Sequence, residues 1–545
     1  MSSGASALRV RQNIEVLQDE YEAGNRKPLE DLMRAWKAIK ELPPDDPHSF
    51  FTLGGFHGEP FRGAGWGSAA YWGGYCNHGN VLFPTWHRVY LVKLEEALRS
   101  VPGCEQVTLP FWDETSESSL QHGIPWALTR ETFELDGETI PNPLRSFVFT
   151  KNIKDHINGD NPDYSKAKGY ETVRYPLSGL VGTEEDRQAT AKHNAQFPDY
   201  AKNVELLNQN VVNWLNSTVV VQGAPSPGGH TADKYRACLD APNYTVFSNT
   251  TSAAEWNDDR AGSGAPVVRP LESPHNSIHL AVGGFDVPGV FNASPIAGAN
   301  GDMGENDTAG LDPIFFFHHC HVDRMFWLWQ KRHGFTDHLE IIPGYPGTNS
   351  VDSQGPTPGV VPNSWLTLES PLDPFKLVEK GVERPYTSLD CIDIEGQLGF
   401  TYGPGSFDEL AEPASASATA TAAAPRGRSA RVVHVSGINR APIRGSFLIS
   451  VFANIDGQRV LVDTEAVLSR WSVKYCANCQ THLEAQSFSP LSAFTEEEAG
   501  GLDVEVEVHT RDGSLGDGEP GSGVGAAFLS RPERAPSRPY KVTVR

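Results

Sequence analysis

Residues 312–334 read DPIFFFHHCHVDRMFWLWQKRHG. Asp312 is a good N-cap, Pro313 suits a first helical position, and Gly334 can end the helix that lies between them. On that helix His319 and Asp323 stand four residues apart and share a face with Phe315, Phe316, Phe326 and Gln330. A histidine on an apolar stripe, with a carboxylate one turn on, is what a buried metal ligand requires, because a polar partner fixes ring tautomer and orientation. A lone histidine in such a place is more often a satisfied core residue, and His318, His321 and His333 fit that description. The decisive matter is whether other histidines converge with His319.

Two further clusters offer them. In LESPHNSIHLAVGG, residues 271–284, His275 and His279 point the same way from one helical turn, with Pro274 to start it and Gly283-Gly284 to stop it. The third cluster comprises FHGEP at 56–60 and YCNHGNVLFPTWHRVYLVKLEEALRS at 75–100. Here Pro84 opens a helix whose stripe is His87, Leu91, Leu94 and Leu98, while His78 precedes it in a loop and His57 lies upstream. An isolated H-x-x-x-H pair is weak evidence for a metal. Two blocks of three histidines beside apolar helical faces are much stronger. Six neutral imidazoles with no compulsory thiolate suit copper and also admit zinc or iron.

The rest of the composition bounds the partners and the architecture. The chain has 545 residues, with 45 Lys plus Arg against 68 Asp plus Glu, a formal net charge of −23. That balance argues against nucleic acid or an anionic membrane as the main partner. No apolar run is long enough to span a bilayer. The N-terminal stretch MSSGASALRVRQNIEV has no apolar h-region, so the expected location is cytoplasmic. Seven cysteines make no disulfide framework, which fits a reducing compartment. Cys76 lies two residues before His78, and Cys476 and Cys479 form a C-x-x-C. Residues 1–45 read as helical, and the chain to 410 alternates short helices with long loops. Residues 411–431 are a low-complexity Ala/Ser/Thr/Pro linker. Alternating and apolar runs between turn residues follow over 432–545 and predict a small β-sandwich. The expected fold is therefore mainly α, a helical-bundle metal domain over 1–410 followed by a β domain.

His78 to Glu95 resembles the copper-A signature of tyrosinases and polyphenol oxidases, and Asp312 to Asp323 resembles their copper-B signature. FWDE at 111–114 is similar to the family's aromatic-Trp-Asp segment. The resemblance implies a type-3 site of two copper ions, one held by His57, His78 and His87 and the other by His275, His279 and His319. His318 would then be structural. Cys76 and His78 match the family's Cys-x-His thioether, with an ordinary buried cysteine as the plainer alternative. Asp323 and Arg324 would support the site from behind, the aspartate by orienting an imidazole or closing an ion pair.

The same resemblance implies oxidation of phenols to o-quinones by dioxygen. Glu272 and Asn276 match the residues that hold a proton-accepting water in monophenol-hydroxylating members. A helix-terminal charge and a helix-turn hydrogen bonder are their plainer readings. Leu280 stands where some relatives place a substrate-orienting arginine. The loop 298–310, with Asn306 near the family's gate position, is expected to wall the substrate entrance. GFTYG at 399–403 resembles the element that closes the catalytic domain, and the β domain resembles a shield that keeps the enzyme latent. Arg426, Arg428 and Arg431 would then offer an activating protease its cleavage site. The shield's plug lies among Val467, Leu468, Trp471 and Phe488. Cys476 and Cys479 resemble a copper-transfer pair, with a disulfide or two unrelated thiols as alternatives. The competing expectations are a catechol or o-aminophenol oxidase without monophenolase activity, and a haemocyanin-like dioxygen carrier. A homodimer is compatible with any of these.

Overall fold

The computed structural model describes residues 8–58, 75–154, 165–216 except 180, 219–221, 224–226, 230–288, 301–350, 360–412 except 362, 429–471 except 441, 484–515 and 540–545. The helical part begins with a short strand, Arg9–Arg11, and two helices, Ile14–Glu22 and Lys27–Glu41. The expected single helical region is thus split, because Gly24 adopts φ +100° between the two helices. Lys27–Glu41 carries Pro28 in its first turn and buries Leu29, Leu32, Met33, Trp36 and Ile39, an i, i+3, i+4 face. Trp36 meets Phe50 edge-on at 5.1 Å and stacks on Phe317 at 5.8 Å, which ties this outer helix to the centre.

At the centre lie three helices, Phe83–Arg99, Glu272–Gly283 and Ile314–His333. Ile314–His333 is buried all round from Ile314 to Gln330, so it has no solvent face there. Its start differs slightly from expectation. Asp312 Oδ1 does accept the Ile314 N–H at 3.2 Å, but the carboxylate also takes a bidentate pair from Arg174 at 2.7 and 2.9 Å. Gly334, at φ +75°, closes the other end as a left-handed cap.

One buried ion network locks the central helices to both ends of this part of the chain. Asp323 accepts from Arg88 Nε at 2.6 Å and from the Tyr402 hydroxyl at 2.6 Å. Arg11 lies 3.7 Å from the same carboxylate and donates to Glu95 at 2.8 Å. Residues 400–402 pair in parallel with the opening strand, so start and end of the helical part are stitched over the Asp323 helix.

Residues 432–545 form two facing sheets, as expected. One places Phe447–Ile455 between Gln458–Val467 and Asp503–Thr510, with Gly513–Leu515 at its edge. The other places Val432–Asn439 between Glu484–Pro490 and Lys541–Val544. Their inner faces make a separate apolar core that includes Val433, Phe447, Ile449 and Val508. Asp456 and Gly457, at φ 51° and 76°, give the first hairpin the type I′ turn that matches strand twist.

The β domain meets the helical part through buried charges. Arg269 reaches Asp463 at 2.5 Å and Glu465 at 3.4 Å, Lys234 lies 3.4 Å from Glu465, and Ser273 donates to Glu465 at 2.8 Å. Arg444 joins Asp186 at 2.9 Å. Leu448, Ala466, Leu468 and Trp471 belong to the helical part's core rather than to the sandwich's own. Of the expected linker, 413–428 lies outside the described residues. Ser429 is buried and Arg431, its side chain 39% exposed, pairs with Glu496 at 2.6 Å, so the end of the expected linker packs on the β domain.

Two outcomes follow. Asp323→Ala, which leaves Arg88 buried without its anion, is expected to destabilise the protein by about 3–5 kcal/mol in denaturant unfolding. Burial alone would raise the Asp463 carboxyl, but Arg269 and Lys234 outweigh it and hold it below the ordinary range. Its contribution to docking is therefore complete above about pH 4 and is lost as pH falls through the lower folded value. Small-angle scattering should show the β domain loosening below about pH 4 and not between neutrality and that point.

Candidate metal centre

The six histidines singled out in the sequence meet at one place, between the three central helices. His87 rides on Phe83–Arg99, His275 and His279 on Glu272–Gly283, and His319 on Ile314–His333, while His57 follows the short helix Phe50–Gly55 and His78 lies in the turn before Phe83. The Nε2 atoms of His275 and His279 lie 3.1 and 3.2 Å from Nε2 of His319. Three nitrogens bound to one metal at about 2.0 Å in tetrahedral directions stand roughly 3.3 Å apart, so this spacing fits a shared ion. Around the second position, the rings of His57, His78 and His87 lie 5.1 to 5.7 Å apart. Nε2 of His57 and His87 and both nitrogens of His78 are buried with no hydrogen-bond partner among the described residues. Such orphaned acceptors in an apolar core are what a metal ion would satisfy. Burial lowers the basicity of all six rings, His87 to about 3, so they are neutral at physiological pH, the form that binds metal.

Most rings are aimed by an acceptor on the far nitrogen. Nδ1 of His87 donates to Phe83 O one turn back at 2.8 Å, and Nδ1 of His275 to Asn276 Oδ1 at 2.9 Å. Nδ1 of His279 donates to Met303 O at 2.7 Å, and Nδ1 of His57 to Asn306 O at 2.9 Å. His319 is aimed by packing, its ring stacked on Phe315 at 3.9 Å and on His87 at 4.5 Å.

The residues around this centre divide. Of the two roles left open for Asp323, the carboxylate takes the ion pair with Arg88 and touches no imidazole. Arg324 points away, donating to Ser406 O at 2.8 Å and pairing with Asp408 at 2.5 Å. Glu272 accepts the Gly79 N–H at 2.8 Å, and the Thr250 N–H and hydroxyl at 2.8 and 3.0 Å. Glu272 and Asn276 line a cavity of about 530 Å³ walled by Tyr345, Trp365, Val467 and Leu468. Trp471 contacts Arg511 instead, and Phe488 stacks on His434 on the sheet face turned away from the sandwich core. The Cys76 sulfur and the ligand nitrogens of His57 and His78 all lie within 4.8 Å of one another. Cys476 and Cys479 lie outside the described residues.

Three features escaped the sequence reading. Glu114 holds His318 Nδ1 at 2.5 Å and accepts from Tyr235 at 2.7 Å, while His318 stacks on His275 at 5.2 Å. Burial pushes Glu114 up to about 8. Met303 and Asn306 act through backbone carbonyls, which leave no trace in residue type. The expected entrance wall at 298–310 is, over its described part 301–310, a fully buried segment beneath the β domain.

That segment touches the metal helix closely. A Cβ on Gly283 would lie 1.8 Å from Gly304 N. Gly283→Ala is expected to displace Met303 O from His279 and weaken metal affinity about tenfold in a copper titration, the usual cost of losing such a partner.

The comparisons with known proteins agree with this geometry. The family model for the common central domain of tyrosinase matches residues 47–332. A tyrosinase of Hahella sp. strain CCB-MM4 is 55% identical over 514 residues, 90% of each chain. A tyrosinase of Aspergillus oryzae is 44% identical, covering 89% of this chain and 91% of that one. Among solved structures, a tyrosinase of Burkholderia thailandensis at low pH superposes with a TM-score of 0.84 at 52% identity, covering 98% of this chain and all of that one.

Proposed function

The chain belongs to the tyrosinase family, whose members oxidise phenols at a type-3 pair of copper ions, and we propose that it is a latent member that both hydroxylates monophenols and oxidises o-diphenols to o-quinones. The observation that carries the reading is the convergence of the His275, His279 and His319 nitrogens at 3.1 and 3.2 Å, with three more buried imidazoles alongside. In this reading His57, His78 and His87 hold one copper, and His275, His279 and His319 the other. When bound, the copper pair would supply dioxygen binding and the electron-accepting chemistry that phenol oxidation needs. The chain's own residues do the rest. Burial keeps the imidazoles neutral, and Phe83, 4.9 Å from His275, and Phe315 exclude water from the centre.

A monophenol must lose its proton before it can bind a metal, which needs a base or an oriented water. Glu272 and Asn276 are proposed to hold that water from the cavity wall. Asn276 uses its carbonyl oxygen on His275 and keeps its NH2 group for a further acceptor. A second reading, a catechol or o-aminophenol oxidase, is favoured by one fact: three donors already engage the Glu272 carboxylate.

Latency is proposed to arise from Val467 and Leu468, which cap the cavity from the β domain. An activating protease would act within the linker 411–431, at Arg426, Arg428 or Arg431. A Cys76–His78 thioether would fix the His78 ring, which no hydrogen bond from the described residues holds. Copper transfer by Cys476 and Cys479 suits the affinity of thiolates for Cu(I). No described helix is long and apolar enough to cross a membrane.

Oxygen uptake by copper-loaded protein, before and after limited trypsin, tests the reading on a monophenol and its matching diphenol. Uptake on both, rising after cleavage, is the expected result. Uptake on the diphenol alone selects the second reading, and uptake unaffected by cleavage removes latency. His275→Ala should lower the copper content from two toward one per chain, read by elemental analysis of the folded variant.

A further inference from the structure

We propose that the segment 303–307 is the positioning element shared by both copper sites, and that the β domain holds it in place through Arg470. The inference rests on His57 and His279 being copper ligands. The β domain then has a second role. Besides covering the site, it keeps one histidine at each copper correctly aimed.

The segment gives both rings their acceptor, Met303 O to His279 at 2.7 Å and Asn306 O to His57 at 2.9 Å. It is buried throughout, yet its only regular structure is a single helical turn at Asp302–Gly304. Its shape therefore comes from its partners, and four successive residues meet the β domain. Gly304 O accepts from Ser446 at 2.8 Å. Glu305 pairs with the buried Arg511 at 2.9 Å. The Asn306 N–H donates to Ser469 O at 3.2 Å. Asp307 takes Arg470 Nη1 and the Trp471 N–H, both at 3.0 Å.

Arg470 does more than hold Asp307. Its other terminal nitrogen donates to Gly58 O at 3.0 Å, the residue after His57. One guanidinium of the β domain thus grips both the segment that receives the His57 proton and the backbone that carries His57. Two carboxylates in the segment, Glu305 and Asp307, are paired with buried arginines across the interface. Withdrawing those arginines removes counter-charges from buried anions, which drives the segment toward water and away from the histidines.

The test uses the full chain with Arg470→Ala, the charge-keeping Arg470→Lys, and Arg269→Ala, which removes an interdomain ion pair that does not touch the segment. Hydrogen exchange at residues 303–307 of the metal-free protein and copper loss to a competing chelator are measured on each. Arg470→Ala should accelerate both about tenfold, as expected when a group that orients a metal ligand is lost. Arg470→Lys should fall between, and Arg269→Ala, which weakens docking without touching the segment, should have a smaller effect on 303–307 than Arg470→Ala. If Arg470→Ala does not fold, the Arg470→Lys comparison decides. Unchanged exchange at 303–307 in the Arg470 variants overturns the proposal, as does an equal effect from Arg269→Ala. Should the unmodified protein take up no copper, the ligand assignment fails, and the exchange comparison still decides whether the β domain holds the segment.

Discussion

An imidazole buried as a metal ligand has two nitrogens to account for, and this constraint shapes the whole centre. One nitrogen must face the ion. The other must find an acceptor, since a buried donor left alone costs about 1–3 kcal/mol. Packing six such rings side by side in an apolar core leaves most of that work to protein atoms. The acceptors come from several sources: the preceding turn for His87, the next side chain for His275, and two carbonyls of one segment for His279 and His57. Among the described residues His78 and His319 have no such acceptor, and His319 relies on its stack between Phe315 and His87. The short loops, the buried segment and the docked β domain are all ways of delivering those acceptors.

What was legible in the sequence follows from the same division. Histidines on helices announce themselves, because a ligand and its apolar neighbours recur at three and four residues. His87, His275, His279 and His319 were readable on that ground. The helix ends were readable too, with Gly334 at its left-handed position and Pro84 in a first turn. The β domain showed through its strand alternation and through turns such as Asp456-Gly457. Carbonyl acceptors did not show, since every residue has one and only the fold chooses which is used. Nor did the pairing of Asp323 with Arg88, 235 positions apart, which pattern within one helix could not distinguish from an imidazole contact. The segment before the last metal helix, rich in Gly, Asp and Asn, reads in the sequence as a loop that walls the substrate entrance. Its polar groups are instead consumed by contacts from the β domain.

Arginine–carboxylate pairs recur across the interface between the two parts, beside the apolar contacts of Leu448, Ala466, Leu468 and Trp471. Interfaces of this polar kind resemble those of partners that separate, whereas permanent ones are more apolar. Each pair is directional, so the β domain has one correct seat. The arginines of Asp307 and Glu305 and the carboxylates of Arg269 and Lys234 sit on the β domain, so charge is complementary in both directions across the contact.

A cut in the linker does not by itself undo such a contact. Buried ion pairs and the Leu448, Ala466, Leu468 and Trp471 side chains, which share the helical part's core, remain in place after one peptide bond is broken. Cleavage changes the entropy. It turns a tethered domain, present at a high effective concentration, into a separate partner that dilution or substrate competition can displace. Activation would then be a two-step event, severing followed by departure. Departure also removes the hydrogen bonds that hold 303–307 beneath two ligand histidines. On the proposed reading, uncovering the cavity and loosening the centre would be consequences of the same motion, because the surface proposed to shield the site would also be the surface that aims it.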